Sequence, residues 1–256
     1  MAGVFTTQLQ PSITDAKLKA VRAKKHLDNL RGELRRFRKA KPHTVRTEHD
    51  VKNGRYLIHF KIRKVPPGIT LIAGDFLTCT RAALDHLVWS LAKLTLPYPE
   101  GTQFPILDRD IASDKQIKNR FNKQLTGVPS DAVRIIESLQ PYHGGNTAAI
   151  QSHLLWRLNL LCNIDKHRRI PVHGDESYFS FPHLPRSLGP HVKLVRRNVV
   201  SIPGASKRQV RLDPKSSFKV VFGDLSQGIA CDFSGLEEIY KFVAGNVIPR
   251  FMRFFK

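Results

Sequence analysis

Apolar residues recur along this chain with two different periods, and the switches between them constrain what it can fold into. From residue 13 to 40, Ala20, Ala23, Leu27, Leu30, Leu34 and Phe37 stand three and four apart, which makes one seam of a long helix. After Pro42 the spacing drops to two, in Val45–Val51 and Tyr56–Ile62, on either side of Asn53-Gly54, a pair suited to a type I′ hairpin turn. Helical spacing returns over about 70–95, through Leu77, Leu84, Leu87, Val88, Leu91 and Leu94, and over about 147–167, through Leu154, Leu158 and Leu161. Shorter helices are expected near 113–125 and 130–139, the second capped by Ser130 or Asp131, and Gln140–Gly145 reads as a turn. Beyond Ile170 the apolar runs are short and broken by Gly and Pro. Tyr178–Phe181, Val192–Val195, Val199–Ile202, Arg208–Leu212, Phe218–Phe222 and Ile229–Phe233 read as antiparallel strands. Ser234-Gly-Leu-Glu237 then resembles a capping box opening a last helix through Ile239, Phe242, Val243 and Val247. The expected class is α+β: a helical bundle with a β-hairpin, a C-terminal antiparallel sheet and a terminal helix. Residues 1–169 form the helical part, with the hairpin (about 44–63) inserted, and residues 170–256 form the strand-rich part, packed on the first.

Charge narrows the partner. The 42 Lys and Arg residues against 21 Asp and Glu leave +21 at neutral pH, an imbalance that suits a polyanion, RNA before DNA. Much of it lies on the first helix, where Lys17, Lys19, Arg22, Lys24, Lys25, Arg31, Arg35, Arg36, Arg38 and Lys39 surround the seam and only Asp28 and Glu33 offset them. Solvated helix faces are usually mixed in sign, so this face is expected to track phosphates. No run reaches the roughly 18 apolar residues of a membrane span, and MAGVFTTQLQPS lacks the order of a signal peptide. Cys79, Cys162 and Cys231 are far apart in apolar stretches and read as buried thiols, which fits a cytoplasmic location. There is no C-x-x-C, H-E-x-x-H, P-loop, G-x-G-x-x-G or G-x-S-x-G, so neither a metal nor a cofactor is expected, and serine hydrolases, ATPases and dinucleotide enzymes are disfavoured. His143-Gly144-Gly145 reads as a turn between helices before it reads as a phosphate loop, and Arg250–Lys256 as the end of a core helix with snorkelling cations.

Two helices carry residues fit for chemistry. On the second helix Asp75, Ala82, His86 and Trp89 fall opposite the Leu77/Leu84/Leu87/Leu91 face, flanked by Arg81 and Asp85, which are four apart. On the 147–167 helix Trp156, Asn159, Asn163 and His167 lie opposite Leu154, Leu158 and Leu161. If these stripes pack together, Arg81, Asp85 and His86 meet Asn163, Lys166 and His167. Such a cluster offers imidazoles for proton transfer, a carboxylate to orient a partner, and cations to hold a phosphate. The same residues could equally form a packing network that pins two helices, with no catalytic part.

Arg81-Ala-Ala-Leu-Asp-His-Leu-Val-Trp89, Phe104-Pro-Ile106, Leu139-Gln-Pro-Tyr142 and Leu160-Leu-Cys-Asn-Ile-Asp-Lys-His-Arg168, taken as a set, resemble a family of uncharacterised bacterial proteins over about residues 17–170. That resemblance implies a layout and no activity. More distantly, Arg81 and His86, and also Arg168 and His173, resemble the Arg and His pair of the HEPN superfamily of helical nucleic-acid-associated domains. The superfamily usually has a polar residue after the Arg, where this chain has Ala82. This second resemblance implies a homodimer and a metal-independent endoribonuclease of a toxin or phage-defence setting. For attack of a ribose 2′-hydroxyl on its own phosphate, the residue chemistry makes His86 and His167 the candidate base and acid, puts Arg81 and Lys166 on the phosphate, and leaves Asp85 to orient Arg81.

Overall fold

The computed structural model describes residues 11–175, 183–196, 199–211, 219–224 and 229–255, so the expected strand at Tyr178–Phe181 lies outside the described residues. The elements run α1 (Thr14–Lys39), β1 (His43–Asp50), β2 (Arg55–Ile62), α2 (Pro67–Ala92), α3 (Lys115–Gln124), α4 (Ser130–Ser138), α5 (Thr147–Ser152), α6 (Leu154–His167), β3 (Val172–Asp175), β4 (Lys193–Arg196), β5 (Val199–Pro203), β6 (Lys219–Asp224), β7 (Ile229–Asp232) and α7 (Phe233–Phe242). The class is α+β with antiparallel sheets. No helix among the described residues is long and apolar enough to cross a membrane.

The described residues divide into two compact units, and each is discontinuous in sequence. One lies within Met1–Asn29, Leu71–Ile170 and Ser234–Lys256, the other within Leu30–Thr70 and Pro171–Phe233. This interleaving replaces the sequential division at residue 170. Its cause is strand pairing: the hairpin does not stand alone but adds β5 and β4 to form a four-stranded sheet in the order β1-β2-β5-β4. A lone two-stranded hairpin is marginal in water, and β5 gives β2 a second partner through Arg55↔Pro203 to His59↔Val199. In the second unit Ile58, Phe60, Ile202 and Val210 form a buried cluster, while β3, β6 and β7 make a separate three-stranded sheet. β3 was missed because Val172-His-Gly-Asp175 has one apolar residue in four. Arg208–Arg211 is not a strand: it belongs to a turn in which Gln209 and Val210 donate to the Ser206 carbonyl, and Leu212 lies outside the described residues.

In the first unit α2 is the central element. Phe76, Leu77, Ala83, Leu84, Leu87, Val88 and Leu91 are fully buried around it, and its exposed side narrows to a stripe that includes Asp75, Thr78, His86 and Trp89. Pro67 takes the first helical position, where a missing N–H costs nothing. The α1 seam is buried along its length, from Ala16 to Phe37; the helix ends at Lys39, and Lys41, with a φ of 45°, precedes Pro42.

Four local expectations are corrected. The hairpin connection is a four-residue loop, not a type I′ turn. Val51–Asn53 form a 3-10 turn whose Asn53 N–H donates to the Asp50 carboxylate, and Gly54 alone takes positive φ. The 147–167 helix breaks at His153, which is extended (ψ 133°), accepts the Leu155 N–H at Nδ1 (3.2 Å) and sets its ring edge-on to Phe242. Burial there holds the imidazole pKa below its ordinary value. α4 is preceded by Pro129 with no side-chain cap, so neither Ser130 nor Asp131 serves. α7 begins at Phe233, one residue before the expected box, and passes into a π turn over Val243–Val247. Pro249 lacks the N–H that would close on Gly245, which accounts for the widened turn.

Candidate functional site

Three of the sequence motifs meet in one polar construction around residues 104–107. This segment has no regular secondary structure, yet Phe104, Pro105 and Leu107 are buried, so its backbone groups must find partners elsewhere. Arg81 Nη2 donates to the Phe104 carbonyl at 2.5 Å, and the Phe104 N–H donates to Asp85 Oδ1 at 3.0 Å. Arg81 and Asp85 close the ring at 3.2 Å, with the arginine side chain 9% exposed and the aspartate 30%. Gln140 continues it by accepting the Leu107 N–H (3.0 Å) and donating to the carbonyls of Pro105 (3.1 Å) and Ile136 (2.8 Å). The RAALD, FPI and LQPY segments are thus one clasp, and Arg81 acts in it as a positioning residue. Its Nη1 is buried with no hydrogen-bond partner among the described residues.

The outer side of the clasp opens on a cavity of about 370 Å³ lined by Asp15, Asp85, His86, Trp89 and Thr102. That volume falls in the range of small-ligand sites. His86 is half-buried, and neither ring nitrogen makes a hydrogen bond among the described residues. Burial raises the Asp85 pKa from its ordinary value, against the opposing pull of Arg81, the Phe104 N–H, Lys166 and His86. A carboxyl perturbed in this way on a cavity wall is a mark of functional sites. Trp89 lines the same cavity and carries Lys93 Nζ over its ring, 4.9 Å from the centroid. Asp15 and Thr102 were not singled out in the sequence, because nothing in their local spacing marks them.

α6 approaches α2 by a different face from the expected one. Cys162 Sγ reaches the Leu77 carbonyl at 3.5 Å, and the Asp165 carboxylate lies against Gly74. The packed face is therefore Leu158, Leu161, Cys162 and Asp165, while Asn163, Lys166 and His167 are exposed. Arg81, Asp85, Cys162, Asp165 and Lys166 share one electrostatic neighbourhood, since each affects the Cys162 thiol, which burial pushes up to about 12. That thiol is no nucleophile at neutral pH. Asp165 is likewise raised, by burial and by the nearby Asp75. Among the described residues, no three His, Cys, Asp or Glu side chains come together as a metal-binding group.

Gly74 is what allows this approach. A Cβ there would stand 2.6 Å from both Asp165 carboxylate oxygens, closer than real contacts allow. Gly74→Ala is expected to destabilise the protein by about 1–3 kcal/mol in urea unfolding, as overpacking does. Asp165→Ala in the same chain should recover most of that loss. An additive double variant would mean that the carboxylate is not the obstacle.

On α1 the cations are not equivalent. Lys24 is paired with Asp28 at 2.6 Å, Arg36 with Glu33, Arg22 Nε donates to His26, and Arg31 lies 5.3 Å from the Phe233 ring centroid. Lys17, Lys25, Arg35, Arg38 and Lys39 are exposed with no ion pair among the described residues.

No family model matches this chain, and neither does any curated protein or solved structure.

Proposed function

We propose that the protein binds RNA through the cationic face of α1 and cleaves it, without a metal, at the cavity lined by His86. The observation that supports cleavage is the imidazole of His86 on a cavity wall, without a hydrogen bond among the described residues, beside a carboxyl whose pKa is raised. RNA carries its own nucleophile. His86 takes the proton of a ribose 2′-hydroxyl, the 2′-oxygen bonds to the adjacent phosphorus, and the bond from phosphorus to the 5′-oxygen breaks. A proton supplied to that oxygen leaves a 2′,3′-cyclic phosphate and a 5′-hydroxyl. His167 is the candidate acid, and Lys166 the candidate cation for the charge developing on phosphorus. Arg81, held by Phe104 and Asp85, keeps the α2 wall in place and does not clamp phosphate. A homodimer remains an expectation of the HEPN resemblance alone.

The clasp itself favours a second reading, in which the polar stripes fix packing and nothing is cleaved. The two readings part at His86, which the clasp does not use. Incubation with a mixed RNA pool, with and without chelator, decides between them: cyclic-phosphate ends that persist in chelator support cleavage, and intact RNA supports the packing role.

Binding has its own test. Five phosphate contacts from Lys17, Lys25, Arg35, Arg38 and Lys39 are expected to contribute about 3.5 to the slope of log affinity against log salt for single-stranded RNA. Replacing all five with Gln should remove that contribution in a fluorescence-anisotropy titration. An unchanged slope would place the contacts elsewhere.

A further inference from the structure

A second basic surface lies in the other unit, on residues that the sequence assigned to a strand. A cavity of about 750 Å³ is lined by Val45 and Thr47 of β1 and by Lys207, Arg208, Val210 and Arg211 of the turn after β5. The three cations are exposed, and among the described residues none of them has an ion pair and no acidic side chain lines the cavity. Like charges gathered on one rim repel one another, so a rim of this kind gains when an anion arrives.

The turn that carries them is anchored. Gln209 and Val210 donate to the Ser206 carbonyl at 3.0 and 3.2 Å, the Gln209 side chain accepts the Ser206 N–H at 2.6 Å, and Val210, 2% exposed, sits in the cluster with Ile58, Phe60 and Ile202. The cations are therefore presented on a fixed backbone, which lowers the entropy that binding must spend. Val45 and Val210 supply an apolar floor. Two residues beyond Thr47 on the same face of β1, about 7 Å away at strand rise, the exposed ring of His49 stacks on Tyr56 with centroids 4.3 Å apart.

We propose that this groove binds single-stranded nucleic acid, with phosphates on Lys207, Arg208 and Arg211 and a base stacked on His49. The chemistry selects this partner. Guanidinium forks match phosphate oxygens, and a flat ring at the end of a basic groove serves a chain that alternates phosphates with planar bases. An acidic peptide or a lipid headgroup would use the cations and leave the ring unused. The inference rests on the RNA-binding reading for its polymer, and it places a second set of contacts on a different unit from the His86 cavity.

The test uses the full chain and fluorescein-labelled oligonucleotides carrying 2′-O-methyl groups, which block cleavage, in anisotropy titrations over salt. Lys207→Ala/Arg208→Ala/Arg211→Ala should lower the salt slope by about 2, and affinity at moderate salt at least about tenfold. His49→Ala should lower affinity for oligoadenosine by about tenfold and leave affinity for an abasic strand unchanged. All four side chains are exposed, so unfolding curves matching wild type are expected as the control. An unchanged slope in the triple variant overturns the groove while the α1 variant still tests the α1 face. Failure of the wild-type protein to bind RNA at low salt overturns both. Equal loss of binding to anionic phosphatidylserine vesicles and to RNA in the triple variant, with no effect of His49→Ala on either, assigns the groove to a lipid surface and overturns the nucleic-acid proposal.

Discussion

His86→Ala is expected to lower RNA cleavage by roughly a hundredfold or more while leaving RNA affinity nearly intact. An imidazole that moves a proton acts in the transition state, whereas the cations that hold the strand act equally before and during it. The variant should also keep wild-type stability, because His86 is half-buried and makes no hydrogen bond among the described residues. That separates it from Arg81→Ala, in which any loss of cleavage would follow loss of the clasp. The readout is the rate at which 2′,3′-cyclic ends appear under single-turnover conditions, measured in chelator. Persistence of cleavage in His86→Ala would assign it to another site or a contaminant, and loss of cleavage on chelation would remove the metal-free scheme. Either result returns the protein to the binding and packing reading.

Arg81→Ala is expected to cost about 3–5 kcal/mol in urea or thermal unfolding, the range for breaking a buried pair by removing one partner. Two groups are stranded by the change. The Phe104 carbonyl loses its donor, and Asp85 keeps a charge in a site that already disfavours charge. The pH dependence identifies the cause. Burial raises the folded-state Asp85 pKa, and the Arg81 charge opposes that rise most strongly. Removing Arg81 raises it further, so the folded variant gains more than wild type from protonation of Asp85. The deficit should therefore be largest at neutral pH and should shrink as pH falls through the carboxylate range. A deficit constant with pH would locate the loss in packing around residues 104–107 and not in the stranded carboxylate.

Much of the helical layout was legible because burial imposes a period. The α1 seam from Ala20 to Phe37 and the Leu77-to-Leu91 face of α2 are apolar at helical spacing because each faces a core, and all of these residues are buried. The hairpin pattern was legible at period two on β2, where Ile58 and Phe60 are buried, while much of β1 is exposed and Val51 stands in the connecting loop. Less visible were the interruptions, which depend on single contacts. His153 splits α5 from α6 through a ring nitrogen that caps the next helix and a ring edge on Phe242, and neither partner is local in the pattern. The turn at 207–211 carries the spacing of a strand, yet its backbone bonds close on Ser206 and only Val210 points inward.

The candidate site divides along the same line. The sequence by itself determined that Arg81 and Asp85, four apart, flank the stripe of one helix that carries His86, that α1 carries a surplus of positive charge, and that three motifs stand out. These are properties of spacing and composition, which a helix or a strand expresses wherever it packs. Only the tertiary structure decided that Arg81 and Asp85 face the Phe104 backbone, that Gln140 completes the clasp, that α6 presents Cys162 and Asp165 to α2, and that Asp15 and Thr102 join His86 at the cavity. Each of these is a pairing between segments many residues apart. Such pairings are selected by which buried backbone groups are left without partners once the chain has closed, and no local period records that requirement.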